Sequence, residues 1–255
     1  MSDGRSLARA YLEQQRLLGG DPVIVPDAPP GLSPGASPGL TETAPPTTVQ
    51  NLPPAGISWD PPAGDLFTAD PISQAATVGA IATLVSHCTK CRLCEGRTHT
   101  VPGEGPDDAR LVVVGEGPGR VEDETGRPFV GPAGELLTKI LAAIDLPRDR
   151  VFICNVVKCR PPENRQPQFD EIAACLPYLH RQIEILKPKV ILAMGNTAAQ
   201  TLLNAKQSLG SMRNHVHRFR GIPVIVTYHP AALLRNPNWK RPTWDDVRIA
   251  RRLLD

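Results

Sequence analysis

The sequence predicts an α/β fold, a three-layer α/β/α sandwich around a central, mainly parallel four-stranded sheet. Three observations carry this. Four short apolar runs, Leu111–Val114, Val151–Val157, Val190–Met194 and Val224–Thr227, read as buried strands. Strand and helix patterns alternate four times, which predicts a parallel sheet covered on both faces. The length, 255 residues, suffices for one sizeable domain plus a tail.

Taken in order, Ser6–Leu18 has the cap and apolar face of a short helix, ended by Gly19 and Gly20. From Asp21 to about Ile72 no hydrophobic period is sustained. Thirteen of the 28 prolines fall in the first 75 residues, the composition of a disordered linker. Residues 1–75 are therefore assigned to an N-terminal extension and residues 76–255 to the folded domain. Ser73–Ser86 reads as a helix leading into a cysteine cluster. The strand Leu111–Val114 breaks into Gly115-Glu116-Gly117-Pro118-Gly119, a loop that can bring backbone close to a ligand. Glu122, Asp123, Glu124 and Phe129 follow.

Gly134–Ile144 is a helix with Leu136, Leu137, Ile140 and Leu141 on one face, and the strand Val151–Val157 carries Asn155. Phe169–Leu186 is a helix stopped by Lys187-Pro188. Thr197–Leu203 is a helix, Val224–Thr227 leads into Tyr228-His229-Pro230, and Trp244–Leu254 is the last helix. Glu116, Asn155 and His229 each fall at the carboxyl end of a predicted strand, the edge at which open α/β sheets gather ligands.

Formal net charge is only +2, but it is uneven. Residues 1–75 hold eight acidic and three basic side chains, leaving 18 acidic and 25 basic in residues 76–255. That domain, at about +7, suits a polyanionic partner. No apolar run approaches membrane-spanning length and no signal-peptide core is present, so a cytoplasmic protein off the membrane is expected. Six cysteines occur at positions 88, 91, 94, 154, 159 and 175. Without a secretory signal, clustered cysteines more often bind metal than form disulfides. The run Cys88-x2-Cys91-x2-Cys94 with the later Cys159 and Cys175 fits a [4Fe–4S] cluster or a zinc. Cys154 alternates with Asn155 on its strand and reads as core packing.

Five pieces together resemble the family-4 uracil-DNA glycosylases, iron–sulfur base-excision enzymes. They are CTKC at Cys88–Cys91, GEGPG at Gly115–Gly119, GRPFVG at Gly126–Gly131, NVVKCRPP at Asn155–Pro162 and HPAALLR at His229–Arg235. The resemblance covers roughly the last 180 residues. It implies that a [4Fe–4S] cluster is held by Cys88, Cys91, Cys159 and Cys175, with Cys94 a bystander. It implies hydrolysis of the N-glycosidic bond of a flipped deoxyuridine. Phe129 would stack on the base, and Asn155 would pair with uracil O4 and N3–H. His229 would donate to O2, and Glu116 would orient water or stabilise the cationic sugar. Glu122 would line the pocket near C5 and oppose a thymine methyl. Gly117 stands where many relatives carry alanine. A related branch that forms covalent adducts carries a histidine-bearing loop, and Cys159–Cys175 contains no histidine.

Leu233 and Leu234 are candidates to wedge into the duplex. Arg235, Arg213, Arg218 and Arg220 are candidates for phosphate contact. The expected partner of this monomer is uracil-containing DNA, single- or double-stranded. The alternatives are a non-catalytic iron–sulfur protein that binds damaged DNA, and a glycosylase of the same fold acting on another lesion.

Overall fold

The structure is a computed structural model that describes residues 52–61 and 70–255. The chain divides into two units, Met1–Leu52 and Pro53–Asp255, and the second is the one described below. The helix expected over Ser6–Leu18 and most of the expected linker lie outside the described residues.

One six-stranded sheet organises the second unit, in the order β1-β5-β6-β4-β2-β3. Its strands are β1 (Ala55–Trp59), β2 (Leu111–Gly115), β3 (Phe152–Asn155), β4 (Val190–Met194), β5 (Val216–Phe219) and β6 (Ile222–Thr227). The four expected strands are the neighbours β6-β4-β2-β3, all parallel. The sheet exceeds the expected four by two. β5 pairs antiparallel with β6, and β1 pairs parallel with β5. A tight turn with Arg220 and Gly221 both at positive φ closes the β5–β6 hairpin.

β1 also corrects the extent of the linker, because Ala55–Trp59 belongs to the sheet. Its anchor is His217. Ile57 N donates to His217 Nδ1 at 2.8 Å, and the other ring nitrogen bonds Met212 O at 2.6 Å. Gly56 permits this contact, since a Cβ there would stand 2.4 Å from His217 Nδ1.

Ten helices surround the sheet among the described residues. They are α1 (Pro71–Gln74), α2 (Val78–Ser86), α3 (Leu93–Gly96), α4 (Arg120–Thr125), α5 (Pro132–Ala142), α6 (Phe169–Leu186), α7 (Asn196–Leu203), α8 (Leu209–Met212), α9 (Pro230–Arg235) and α10 (Lys240–Arg252). Val112, Val114, Phe152, Cys154, Ile191, Ala193, Val224 and Val226 share one core with buried residues of α2, α6 and α7. Strand alternation turns Leu111, Val113, Ile153, Leu192 and Ile225 to the opposite face. α10 packs on β4 and β6, and α5 packs on α9. The expected three layers are therefore present. The register pairs Gly115 with Asn155 and Met194 with Thr227, so the carboxyl ends of β2, β3, β4 and β6 finish along one edge.

Candidate active site

A cleft of about 750 Å³ opens at that edge. Glu116, Gly117, Glu122, Phe129, Asn155, His229 and Arg235 all line it, so the structure brings together residues that lie up to 119 positions apart in the chain.

Asn155 ends β3 at 1% exposure, and its Oδ1 has no hydrogen-bond partner. A buried amide oxygen without a donor is costly unless a ligand supplies one. The oxygen and the Phe129 ring both close on Gly115, where a Cβ would stand 2.4 Å from Asn155 Oδ1 and from Phe129 Cζ. Only glycine admits both groups. Gly117 is similarly close-packed, with a methyl there falling 2.8 Å from Val157 Cγ2.

Phe129 has φ of 50°, an uncommon conformation for an aromatic residue. Several groups hold it. Arg148 Nη1 donates to Phe129 O at 2.9 Å, and Arg148 Nη2 bonds Pro128 O. Glu122 Oε1 accepts from Val130 N at 2.9 Å and from Gly131 N at 2.8 Å. Gly131 is the N-cap of α5 and has no side chain to cap with, so Glu122 caps that helix from outside. Glu122 lines the cleft, but one carboxylate oxygen is committed to the turn that carries Phe129. Gly134 approaches Phe129 so closely that a Cβ would stand 1.9 Å from Phe129 O.

His229 faces Phe129, with ring centroids 5.4 Å apart. It is the N-cap of α9, and its Nδ1 accepts from Ala231 N at 3.2 Å. Burial pushes its pKa down to about 4, so the ring is neutral. A neutral ring whose Nδ1 accepts must carry its proton on Nε2, which leaves Nε2 as a donor.

Glu116 is held by residues that the sequence analysis did not single out. Thr197 Oγ1 donates to Glu116 Oε2, and Gln166 Nε2 donates to Thr197 Oγ1 at 3.0 Å. Receiving Gln166, the hydroxyl turns its one hydrogen toward the carboxylate. No motif marks Thr197, which sits in the first turn of α7 directly after the strand edge. That position was the available signal.

The structure separates the two leucines after the histidine. Leu233 is 1% exposed, turned inward by the helical period of α9, and is not available to DNA. Leu234 is 51% exposed. Arg213 is not free for phosphate either. It forms a buried ion pair with Asp246 through bonds of 2.7 and 3.1 Å. Arg220 pairs with Glu184, and Arg218 Nη1 donates to Gly221 O at 2.7 Å on the far hairpin. Of the four arginines, Arg235 alone lines the cleft.

A second cavity is lined by Cys88, Cys91, Cys94, Cys159 and Cys175. All are free thiols, and among the described residues no three His, Cys, Asp or Glu donors converge on one ion-sized point. The donor set suits thiolate ligation. Arg97 Nη1 donates to Cys159 Sγ at 3.2 Å, and Lys158 N donates to Cys175 Sγ at 3.3 Å. Burial pushes the Cys175 thiol up to about 12. Cys154 is buried in β3, in the core as expected.

Two links join the cysteines to the cleft. The Lys158 ammonium, fully buried, donates to Asn155 O at 2.8 Å and to Gln182 Oε1 at 2.7 Å. Glu171 binds Arg92 between the cysteines at 3.1 Å and Arg165 on the cleft wall at 2.6 Å.

The description "Uracil DNA glycosylase superfamily" matches residues 102–249, more than half of the chain, and the chain belongs to that family. Its relatives place it in the type-4 branch. A type-4 uracil-DNA glycosylase of Sulfurisphaera tokodaii is 47% identical over 178 residues, covering 66% of this chain and 81% of that one. One from Pyrobaculum aerophilum is 48% identical over 162 residues, covering 60% and 83%. One from Thermotoga maritima is 47% identical over 178 residues, covering 68% and 93%.

Proposed function

We propose that this protein is a uracil-DNA glycosylase of base excision repair. It flips deoxyuridine out of DNA and hydrolyses the N-glycosidic bond, releasing uracil and leaving an abasic site. The observation that carries this is the unpartnered Oδ1 of Asn155, buried beside Phe129 in the cleft.

Uracil presents N3–H and O4 side by side. Asn155 Oδ1 accepts from N3–H while its Nδ2 donates to O4. Cytosine presents the reversed pattern and would leave both amide groups unpaired. The Phe129 ring supplies a flat apolar surface for the base. As the bond breaks, negative charge grows on uracil O2, and the Nε2–H of neutral His229 donates to it. Glu116, its Oε2 held by Thr197, uses its other oxygen to orient water or to face the cationic sugar. Water completes the sugar, and the proton it loses balances the one that uracil takes up. Every one of these groups comes from one chain, so a monomer suffices.

Cys88, Cys91, Cys159 and Cys175 hold a [4Fe–4S] cluster in this reading. The cluster supplies a cross-link between the segment before β2, the loop after β3 and α6. Through Lys158 and Asn155 O, that cross-link steadies the uracil reader.

The test is excision from labelled oligonucleotides containing one uracil or one hypoxanthine, read as strand cleavage after alkali. Cleavage at the uracil only is expected. Failure to cleave by folded, iron-loaded protein overturns the proposal, and preferential cleavage at hypoxanthine would redirect it to another lesion.

A further inference from the structure

Three large apolar side chains are exposed among the described residues, Phe169, Leu234 and Trp239. Two of them lie five positions apart on the segment that follows His229, and Trp239 lines the cleft itself at 36% exposure. We propose that Trp239 is a stacking platform for the nucleobase next to the flipped uridine in the same strand. This rests on the uracil-DNA glycosylase reading of the cleft.

Trp239 is fixed from behind by a layered column. Its ring stacks on Tyr228 with centroids 4.7 Å apart and planes 6° from parallel. The Arg213 guanidinium lies over the same Tyr228 ring, 4.6 Å from its centroid. Arg213 is in turn held by both Asp246 oxygens and by Pro242 O at 2.9 Å, and Asp246 also accepts from Thr227 Oγ1 at 2.7 Å. The buried ion pair thus anchors an aromatic stack whose outermost member reaches solvent at the rim of the cleft. A surface tryptophan held this way loses little side-chain entropy on meeting a second flat ring.

The chemistry of the neighbourhood favours a nucleobase over an apolar protein segment. Arg235 lines the same cleft, and Lys240 and Arg241 follow Trp239 directly. Cations bracketing an exposed aromatic ring are how proteins track a strand by its phosphates and stack its bases. Flipping uridine also costs its neighbour a stacking partner, and Trp239 replaces it on the protein side.

The test uses the full chain and single-stranded oligonucleotides with one uracil, measuring kcat and KM, alongside intrinsic fluorescence on binding an uncleavable oligonucleotide with an abasic analogue in that place. The chain has three tryptophans, and Trp244 is buried. Trp239→Ala should raise KM about 10- to 100-fold, the range for losing one stacked base, with kcat held within about two-fold. Trp239→Phe should retain a KM near that of the parent protein but lose the DNA-dependent quench of fluorescence. Trp239→Leu, apolar but without a π-face, should behave as the alanine variant. Unchanged KM in both the alanine and leucine variants, or a quench that survives in Trp239→Phe, overturns the platform. Absence of uracil excision by the parent protein strikes the functional reading instead.

Discussion

The orientation of the Glu116 carboxylate turns on a single hydroxyl. Thr197 donates to Glu116 Oε2 and accepts from Gln166, so its hydrogen has one direction available. Thr197→Val keeps the shape and removes that donor. We expect kcat to fall by about ten-fold or more, less than for a donor that itself meets the developing charge, with KM unchanged. Thr197→Ser should restore most of it. A merely structural role would instead lower melting temperature and leave the serine variant no better than valine. Asn155 and His229 were legible in the sequence because both close a buried apolar run, where topology alone places them at the ligand edge. Thr197, Gln166 and Arg148 were not. Each acts through a neighbour that is remote in sequence, and threonine, glutamine and arginine in loops or first turns carry no periodic signal.

Elements position these residues by close approach. The turn carrying Phe129 is fixed by Glu122, Arg148 and Gly134, and the loop after β3 is fixed by Lys158 and the cysteine cavity. Protein prepared without oxygen should be brown and contain about four irons per chain. Cys88→Ala, Cys91→Ala, Cys159→Ala and Cys175→Ala should each lose the iron, whereas Cys154→Ala should keep it. Stoichiometric zinc in that preparation would contradict the ligand assignment. The inner strands were legible as four apolar runs. β5 was not, since Val216–Phe219 is short and alternates in burial around Arg218. β1 was hidden by composition: Ala55–Trp59 stands among prolines and is mostly exposed. What places it is Gly56 against His217, a contact across 161 residues.

The whole molecule carries a predictable response to acid. Burial pushes His180 and His229 down to about 4 from an ordinary 6.5, and it lowers His217 too. The unfolded chain binds those protons first as pH falls. The contribution of His180 and His229 to stability is therefore complete above about 6.5 and is lost between 6.5 and about 4, and that of His217 is lost in the same direction. The Arg165 guanidinium holds the Glu171 carboxyl down at about 2 from 4.5, so its contribution is complete above 4.5 and is lost between 4.5 and about 2. Melting temperature should be level above pH 7 and fall in two overlapping stages on acidification, with Glu171→Gln weakening the lower one, to which Glu104, held down by Arg127, also contributes. A melting temperature constant from pH 7 to 4.5 would contradict the neutral state of these histidines.

The central claim, that Asn155 reads uracil by hydrogen-bond polarity, is tested most directly by comparing Asn155→Asp and Asn155→Ala on oligonucleotides bearing one uracil or one cytosine. An ionised carboxylate accepts but does not donate, so it repels uracil O4 and suits the cytosine amino group. Both variants should excise uracil about 100- to 1000-fold more slowly, the cost of one lost preorganised contact, and only the aspartate variant should gain activity on cytosine. Excision of uracil by Asn155→Asp at the parent rate, with iron content and melting temperature intact, would contradict the account.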